Sequence, residues 1–352
     1  MATLAGLLAS FAAQDGRFRP SALVKMASDE PMAALARAGD RRFTFVTDVQ
    51  HYDGVYYYAM ARDPFARATA HGLIDQAPYR YGHPLHGWLA GVLSLGRASA
   101  VPGALLLLSL AGLALAGWAA SRLVTSLGGN PWWGLAVAFN PGLLYATTVS
   151  TTETLGAGLV LSTLLAWRNE RRTLACVLAA FCCFDKEQYV VVPLGLAVFH
   201  VAGRLRRRHP LAVGQLAGLS LGPILLGTWY AYVHATLHRW PFEYEPGNIG
   251  RPGSGWRQTM RYSRALSAGS FDQSQLGALT PPVLVALAML LLVAGAVAVR
   301  VRTELDAPLI GLVVITACQG WLTLLYPHEL LRTPSVALLL AVLTLGGRKR
   351  AA

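Results

Sequence analysis

From Val101 to the C-terminus the chain alternates long apolar runs with short connections rich in arginine. A helix of about 20 apolar residues crosses about 30 Å of hydrocarbon, so a chain carrying such runs in series is constrained to an all-α, polytopic membrane fold. Composition agrees, since 54% of the residues are hydrophobic and only 14% are charged, unlike an ordinary soluble protein. The pattern predicts spans at 101–121, 131–148, 153–167, 173–185, 188–203, 211–236, 279–299, 307–325 and 328–346, about nine or ten in all with the N-terminal segment. Residues 1–13 are apolar but too short to cross, and without a basic leader or cleavage site they read as the end of a first span that begins upstream. The run from Pro84 to Gly96 is also short, which suits a helix lying in the interface or re-entering the membrane.

The formal net charge is +12, but the basic residues sit in short runs between apolar segments and form no stripe, which excludes a nucleic-acid partner. Arg122, Arg168 to Arg172, Arg204 to Arg208, Arg300 with Arg302, and Arg348 to Arg350 fall at every second connection. The positive-inside rule makes that face cytoplasmic. The opposite, extracytoplasmic face then receives a first loop over 15–100, a second over 237–278, and every polar constellation described below. The 237–278 loop holds several arginines, balanced by Glu243, Glu245 and Asp272. All of this reads as a single transmembrane domain over 1–352. Cys176, Cys182, Cys183 and Cys318 lie in apolar segments without a C-x-x-C pair, which argues against zinc or a disulfide framework.

The first loop carries TDVQHYDGVYYY, Thr47 to Tyr58, with two carboxylates, a histidine and four tyrosines in twelve residues. Thr47 and Gln50 have capping-box spacing, which predicts a short helix starting there, and Asp53, Tyr56, Tyr57 and Met60 then share a face. Gly54 leaves room for something to approach the backbone. Asp48 either favours a helix N-terminus or acts chemically; Asp53 lies a turn further in and is the stronger functional candidate. Asp48, His51 and Asp53 also offer ligands for a divalent cation, a weaker reading. Ser150-Thr151-Thr152-Glu153 is a second capping-box pattern, unless Glu153 lines the same cleft. Asp185-Lys186-Glu187 joins two short apolar runs near the outer boundary, where charges are usually paired. Either the three pair locally, or Lys186, one of only three lysines, meets a lipid phosphate. Glu329 and Arg332, behind His328, have i, i+3 spacing and predict an ion pair. Trp240 to Tyr244 and Gly250 to Trp256 either mark turns or rim a sugar site with aromatic faces. No phosphate-cradling loop, nucleotide fingerprint or nucleophile elbow is present, so a cytosolic nucleotide sugar is not the expected donor.

HYDGVYYYAMARDP, APYRYGHPLHGWLAGVLSLG, NPGLLYATTVSTTETLGAGLVL, DKEQYVVVP and HELLRTP, in this order and spacing, resemble the bacterial polytopic glycosyltransferases of GT-C type. That superfamily includes protein O-mannosyltransferases, aminoarabinose transferases and GPI mannosyltransferases. The resemblance implies an inverting transfer from a polyprenyl-phosphate-linked sugar to a glycan, lipid or protein acceptor, with no cofactor beyond a possible divalent cation, at the outer side of a bacterial inner membrane. It makes Asp53 the general base with Asp48 in reserve, and Lys186, Glu187, Arg332 and Arg80 the groups around the leaving phosphate. Glu153, Tyr57 and His328 are expected to line the same cleft. An Asp-Glu pair seen in some relatives is Asp53-Gly54 here, which leaves the acting carboxylate open. The same cleft would also serve a non-catalytic transporter, a flippase or a binding subunit for a lipid-linked sugar. Polar groups concentrated on one side, without inverted repeats, fit a transporter less well.

Overall fold

The computed structural model describes residues 1–14, 16–46, 52–243, 248–266 and 271–346, with backbone alone at 266 and 271–277. Regular structure among these residues is helical, and the extended contacts are isolated bridges, Ala27 with Val46 and Ile249 with Gln319. The N-terminal part consists of α1 (Ala2–Ala12), α2 (Pro31–Gly39), α3 (Gly54–Arg62), α4 (Ala77–Arg80) and α5 (Leu85–Leu93). Next come α6 (Val101–Ser126), α7 (Pro141–Thr148), α8 (Glu153–Arg168), α9 (Arg172–Asp185), α10 (Val191–Arg206) and α11 (Val213–Leu237). The remainder holds α12 (Ser254–Leu266), α13 (Phe271–Ala298), α14 (Asp306–Ala317), α15 (Pro327–Arg332) and α16 (Ser335–Gly346).

Among the described residues, helical stretches long and apolar enough to cross a membrane run over Ala98–Ser126, Glu187–Arg206, Val213–Leu237 and Ala278–Ala298. Leu194, Val198, Ile224, Met289 and Leu292 stand exposed on them, as expected where the neighbour is lipid rather than water. The protein is thus an all-α, multi-pass membrane protein. Other expected spans are shorter or interrupted. Residues 131–148 break into a 3₁₀ turn, Pro131–Ala136, and α7, because Asn140 Oδ1 accepts the Leu143 N–H at 3.1 Å and Pro141 opens the new helix. The 307–325 run stops at Ala317, and 328–346 divides into α15 and α16 at Thr333-Pro334. Helix α5 is nine residues long, too short to span.

The connections that hold Arg168 and Arg206 meet the 300–304 turn, which holds Arg300, at one end of the bundle. Arg168 donates to Glu304 at 3.0 Å and to the Ser126 carbonyl at 2.6 Å, and Arg206 donates to the carbonyls of Val301 and Arg300, both at 3.1 Å. Arg168 closes α8, whereas Glu153 opens it. With fifteen rises of about 1.5 Å between them, the two lie roughly 23 Å apart along the helix axis. The polar clusters of the first loop gather at the Glu153 end, packed on a core of Met26, Met32, Tyr58, Met60 and Tyr81.

Candidate functional site

Helix α3 begins at Gly54 with Asp53 as its N-cap residue, six positions later than the Thr47 capping box predicts. Thr47 to His51, and with them Asp48 and the Asp48–His51–Asp53 cation reading, lie outside the described residues. The space at Gly54 is taken by the chain itself. A Cβ there would come within 2.7 Å of the Val24 carbonyl and 2.8 Å of the Val149 carbonyl, so only glycine lets α3 nest between these two backbones. That contact sets Asp53 beside the α7–α8 junction.

The Ser150–Glu153 capping box does not form. Ser150 adopts a left-handed backbone (φ 52°), and Glu153 turns its carboxylate away from its own helix end toward two cations. Glu153 is fully buried, and its Oε1 accepts both from Lys186 Nζ at 2.8 Å and from Arg332 at 2.7 Å. A charge in that position is tolerable only because it is paired twice. Arg332 in turn donates to Asp53 Oδ2 at 3.0 Å and Glu329 Oε2 at 2.7 Å, the last being the i, i+3 pair expected from sequence. The other oxygen of Asp53 receives Arg80 at 3.2 Å. One continuous chain of charge therefore runs Arg80–Asp53–Arg332–Glu153–Lys186, drawn from the first loop, α4, α8, α15 and the α9–α10 turn. Gly142 is what allows α15 so close, since a Cβ on it would strike the carbonyl of Leu331.

Asp185 and Lys186 are neighbours that do not pair. Lys186 ends α9 in an extended conformation (φ −156°, ψ 133°), which turns its side chain away from Asp185; Asp185 instead accepts from the Thr152 hydroxyl. Glu187 faces His83, Oε2 to Nδ1 at 3.2 Å. Tyr57 is buried with its ring edge-on to His86, centroids 5.1 Å apart. His328 lies 4.0 Å from Glu329 and 4.9 Å, ring to ring, from Tyr145. The rim near Arg332 is completed by Tyr52, whose ring lies 5.2 Å from the guanidinium and edge-on to Tyr145. Of the second loop's rings, Tyr244 lies outside the described residues, Trp240 stacks on His234 at 4.2 Å, and the Trp256 indole donates to the Thr316 carbonyl at 2.9 Å. Sequence reasoning missed His83, His86, Tyr52 and Tyr145. The two histidines of GHPLH were the available signal for the first pair.

Electrostatics in the first loop follow from this geometry. Burial alone would raise the Asp53 carboxyl, but Arg332 and Arg80 outweigh it and hold the group below the ordinary carboxylate range. Its side chain keeps 30% exposure, so it is the accessible member of the chain of charge. Arg80 spreads over the Tyr56 ring at 3.6 Å and reaches Asp75 at 3.6 Å. Tyr56 and Asp75 line a cavity of about 310 Å³ together with Glu30, Val55 and Leu73, and Asp53 is not among its lining residues. His86 is wholly buried with neither ring nitrogen hydrogen-bonded, and burial pushes its pKa down to about 4. Among the described residues no three His, Cys, Asp or Glu side chains form a metal-binding group.

These features define a multi-pass helical membrane protein with a partly accessible chain of paired charges at one end of its bundle. No family model matches the sequence, and no curated protein is similar to it. The fold is similar to the crystal structure of ArnT from Cupriavidus metallidurans in the apo state, with a TM-score of 0.48 and 16% identity. The match covers 97% of this chain and 57% of that one, so this chain spans a little over half the length of ArnT.

Proposed function

We propose that this protein is a GT-C-type inverting glycosyltransferase, a single transmembrane catalytic domain that moves a sugar from a polyprenyl-phosphate carrier to an acceptor hydroxyl on the extracytoplasmic side of a bacterial inner membrane. The observation that supports it is the linkage of Asp53 to Lys186 through Arg332 and Glu153, which gathers a part-exposed carboxylate and three cations at one bundle end. Leaving-group phosphate needs cations where its charge grows, and Arg80, Arg332 and Lys186 supply them. Each is held in place by a carboxylate that a phosphate can replace. The rings of Tyr52, Tyr145 and His328 beside Arg332 offer faces for a sugar.

In the reaction the acceptor oxygen bonds to the anomeric carbon while the bond from that carbon to the phosphate oxygen breaks, its electron pair leaving on the phosphate. The acceptor proton passes to Asp53. In the resting protein two arginines make Asp53 a poor base. A phosphate that draws Arg332 and Arg80 toward itself returns the carboxylate toward its ordinary basicity as the proton must move. Glu187, next to Lys186 in the chain, faces His83, and a divalent cation would draw on Asp48 and His51 as well as Asp53.

The test is Asp53→Asn in purified protein reconstituted with polyprenyl-phosphate mannose, glucose, galactose or arabinose and a bacterial envelope extract, following release of polyprenyl phosphate. A fall of at least about a hundredfold, with carrier binding retained, is the result expected for loss of a general base. Undiminished release removes Asp53 from that role.

A further inference from the structure

Helix α12 is amphipathic in an unusual way. Trp256, Thr259, Met260 and Ser263 recur at i, i+3, i+4 and i+7 and face inward, with Thr259 and Ser263 fully buried. Arg257, Arg261 and Arg264 recur at i, i+4 and i+7 on the adjoining face, and all three are exposed. Among the described residues no ion pair joins Arg257 or Arg261 to a carboxylate. This contrasts with Arg80 and Arg332, whose charges are fully countered inside the protein.

The helix is fixed rather than loosely attached. The Gly250 and Gly253 N–H groups donate to the carbonyls of Cys318 and Ala317 at 2.7 and 2.8 Å, and the Tyr262 ring lies 4.6 Å from that of Trp321. It packs against α13, whose Ala278–Ala298 stretch is apolar enough to cross the membrane. Between the two helices lies a groove of about 350 Å³ with the three arginines and Trp256 on one wall and Leu284 and Val285 on the other. Beyond it Met289 and Leu292 continue as exposed apolar surface along α13. A cationic row beside an apolar track, flanked by the rings of Trp256, Tyr262 and Trp321, is complementary in charge and polarity to a lipid with an anionic head.

We propose that the α12–α13 groove is a binding site for an anionic phospholipid of the bilayer, its phosphate on Arg257, Arg261 and Arg264 and its acyl chains along Val285, Met289 and Leu292. The three guanidinium positions extend over about 10 Å of helix, more than one turn, so a headgroup can be held by two at once. Bound there, the lipid fixes the depth of α12 in the membrane. The site is independent of the transfer reaction and stands whether or not that reading holds.

The experiment is native mass spectrometry of the delipidated full-length protein, titrated with phosphatidylglycerol, phosphatidylcholine of the same acyl chains, or polyprenyl phosphate. Wild type is expected to bind phosphatidylglycerol in preference to phosphatidylcholine, and the triple variant Arg257→Gln, Arg261→Gln, Arg264→Gln to lose about tenfold or more of that affinity. Arg261→Gln alone is expected to fall between them. The double variant Arg41→Gln, Arg42→Gln, which removes exposed charge from the first loop, is expected to match wild type. Equal retention of the two phospholipids, or phosphatidylglycerol binding unchanged in the triple variant, overturns the proposal. Preference for polyprenyl phosphate over phosphatidylglycerol at this groove also overturns it, by assigning the site to a carrier lipid instead.

Discussion

Arg332 is the residue whose removal should be felt most. Its guanidinium holds Glu153 at 2.7 Å, Asp53 at 3.0 Å and Glu329 at 2.7 Å, with its side chain only 10% exposed. Arg332→Met keeps the apolar stem but strands three carboxylates. Asp53 retains Arg80 and 30% exposure, and Glu329 retains 13%, so water and the remaining partner absorb part of those losses. Glu153 has no exposure and keeps Lys186 as its cation. Breaking a buried pair from one side costs about 3–5 kcal/mol, and the surviving lysine puts this case near the lower figure, about 3 kcal/mol. Glu153→Gln alone removes a charged hydrogen-bond acceptor from Arg332, which keeps Asp53 and Glu329, and from Lys186, which keeps 15% exposure to water, a loss of about 2 kcal/mol. The double variant Glu153→Gln, Arg332→Met no longer strands a buried charge and should be more stable than Arg332→Met alone. Denaturant unfolding in micelles, followed by tryptophan fluorescence, gives all the values of this cycle. Wild-type stability in Arg332→Met, or a double variant whose loss equals the sum of the singles, would refute the claim that Glu153 and Arg332 depend on each other.

Two further perturbations bear on the same region. His86 is buried neutral with its pKa lowered to about 4, so the unfolded chain binds the proton that the folded one refuses, and stability must fall as pH drops from about 6.5 toward 4, by up to about 3 kcal/mol. His86→Leu removes this titration: the stability difference between wild type and variant should shrink or invert on acidification, and parallel pH profiles would show that the ring is not buried neutral. Gly142→Ala brings a methyl group against the Leu331 carbonyl and should cost about 1–3 kcal/mol while loosening Arg332, whereas Gly103→Ala, which meets nothing within 4 Å, should not destabilise. Equal thermal stability of the two alanine variants would mean that α7 and α15 are not held at this distance.

What the sequence discloses and what it withholds divide along one physical line. Apolar runs are self-announcing because each helix in hydrocarbon satisfies its own backbone, and this holds for the long helices α6, α10, α11 and α13. The breaks at Asn140-Pro141 and Thr333-Pro334 are written in the same local code, and Asn140-Pro141-Gly142 reads as an interruption, although spans drawn on apolar length run across both. The Glu329–Arg332 pair was legible for the same reason, being one turn apart on one helix. Partners of buried charge are not local. Glu153 looks like the end of a capping box and Lys186 like one member of an Asp-Lys-Glu triplet, and in each case the nearest candidate in sequence is the wrong one. Local partners fail because they offer too little. A capping backbone N–H is a weak counter-charge for a carboxylate with no access to water, whereas two cations, 2.7 and 2.8 Å away, offset its desolvation. Those cations come from α15 and from the turn after α9, far along the chain from α8. Glu153, buried at the first position of α8, thus finds its counter-charges far off in the sequence, in Arg332 and Lys186.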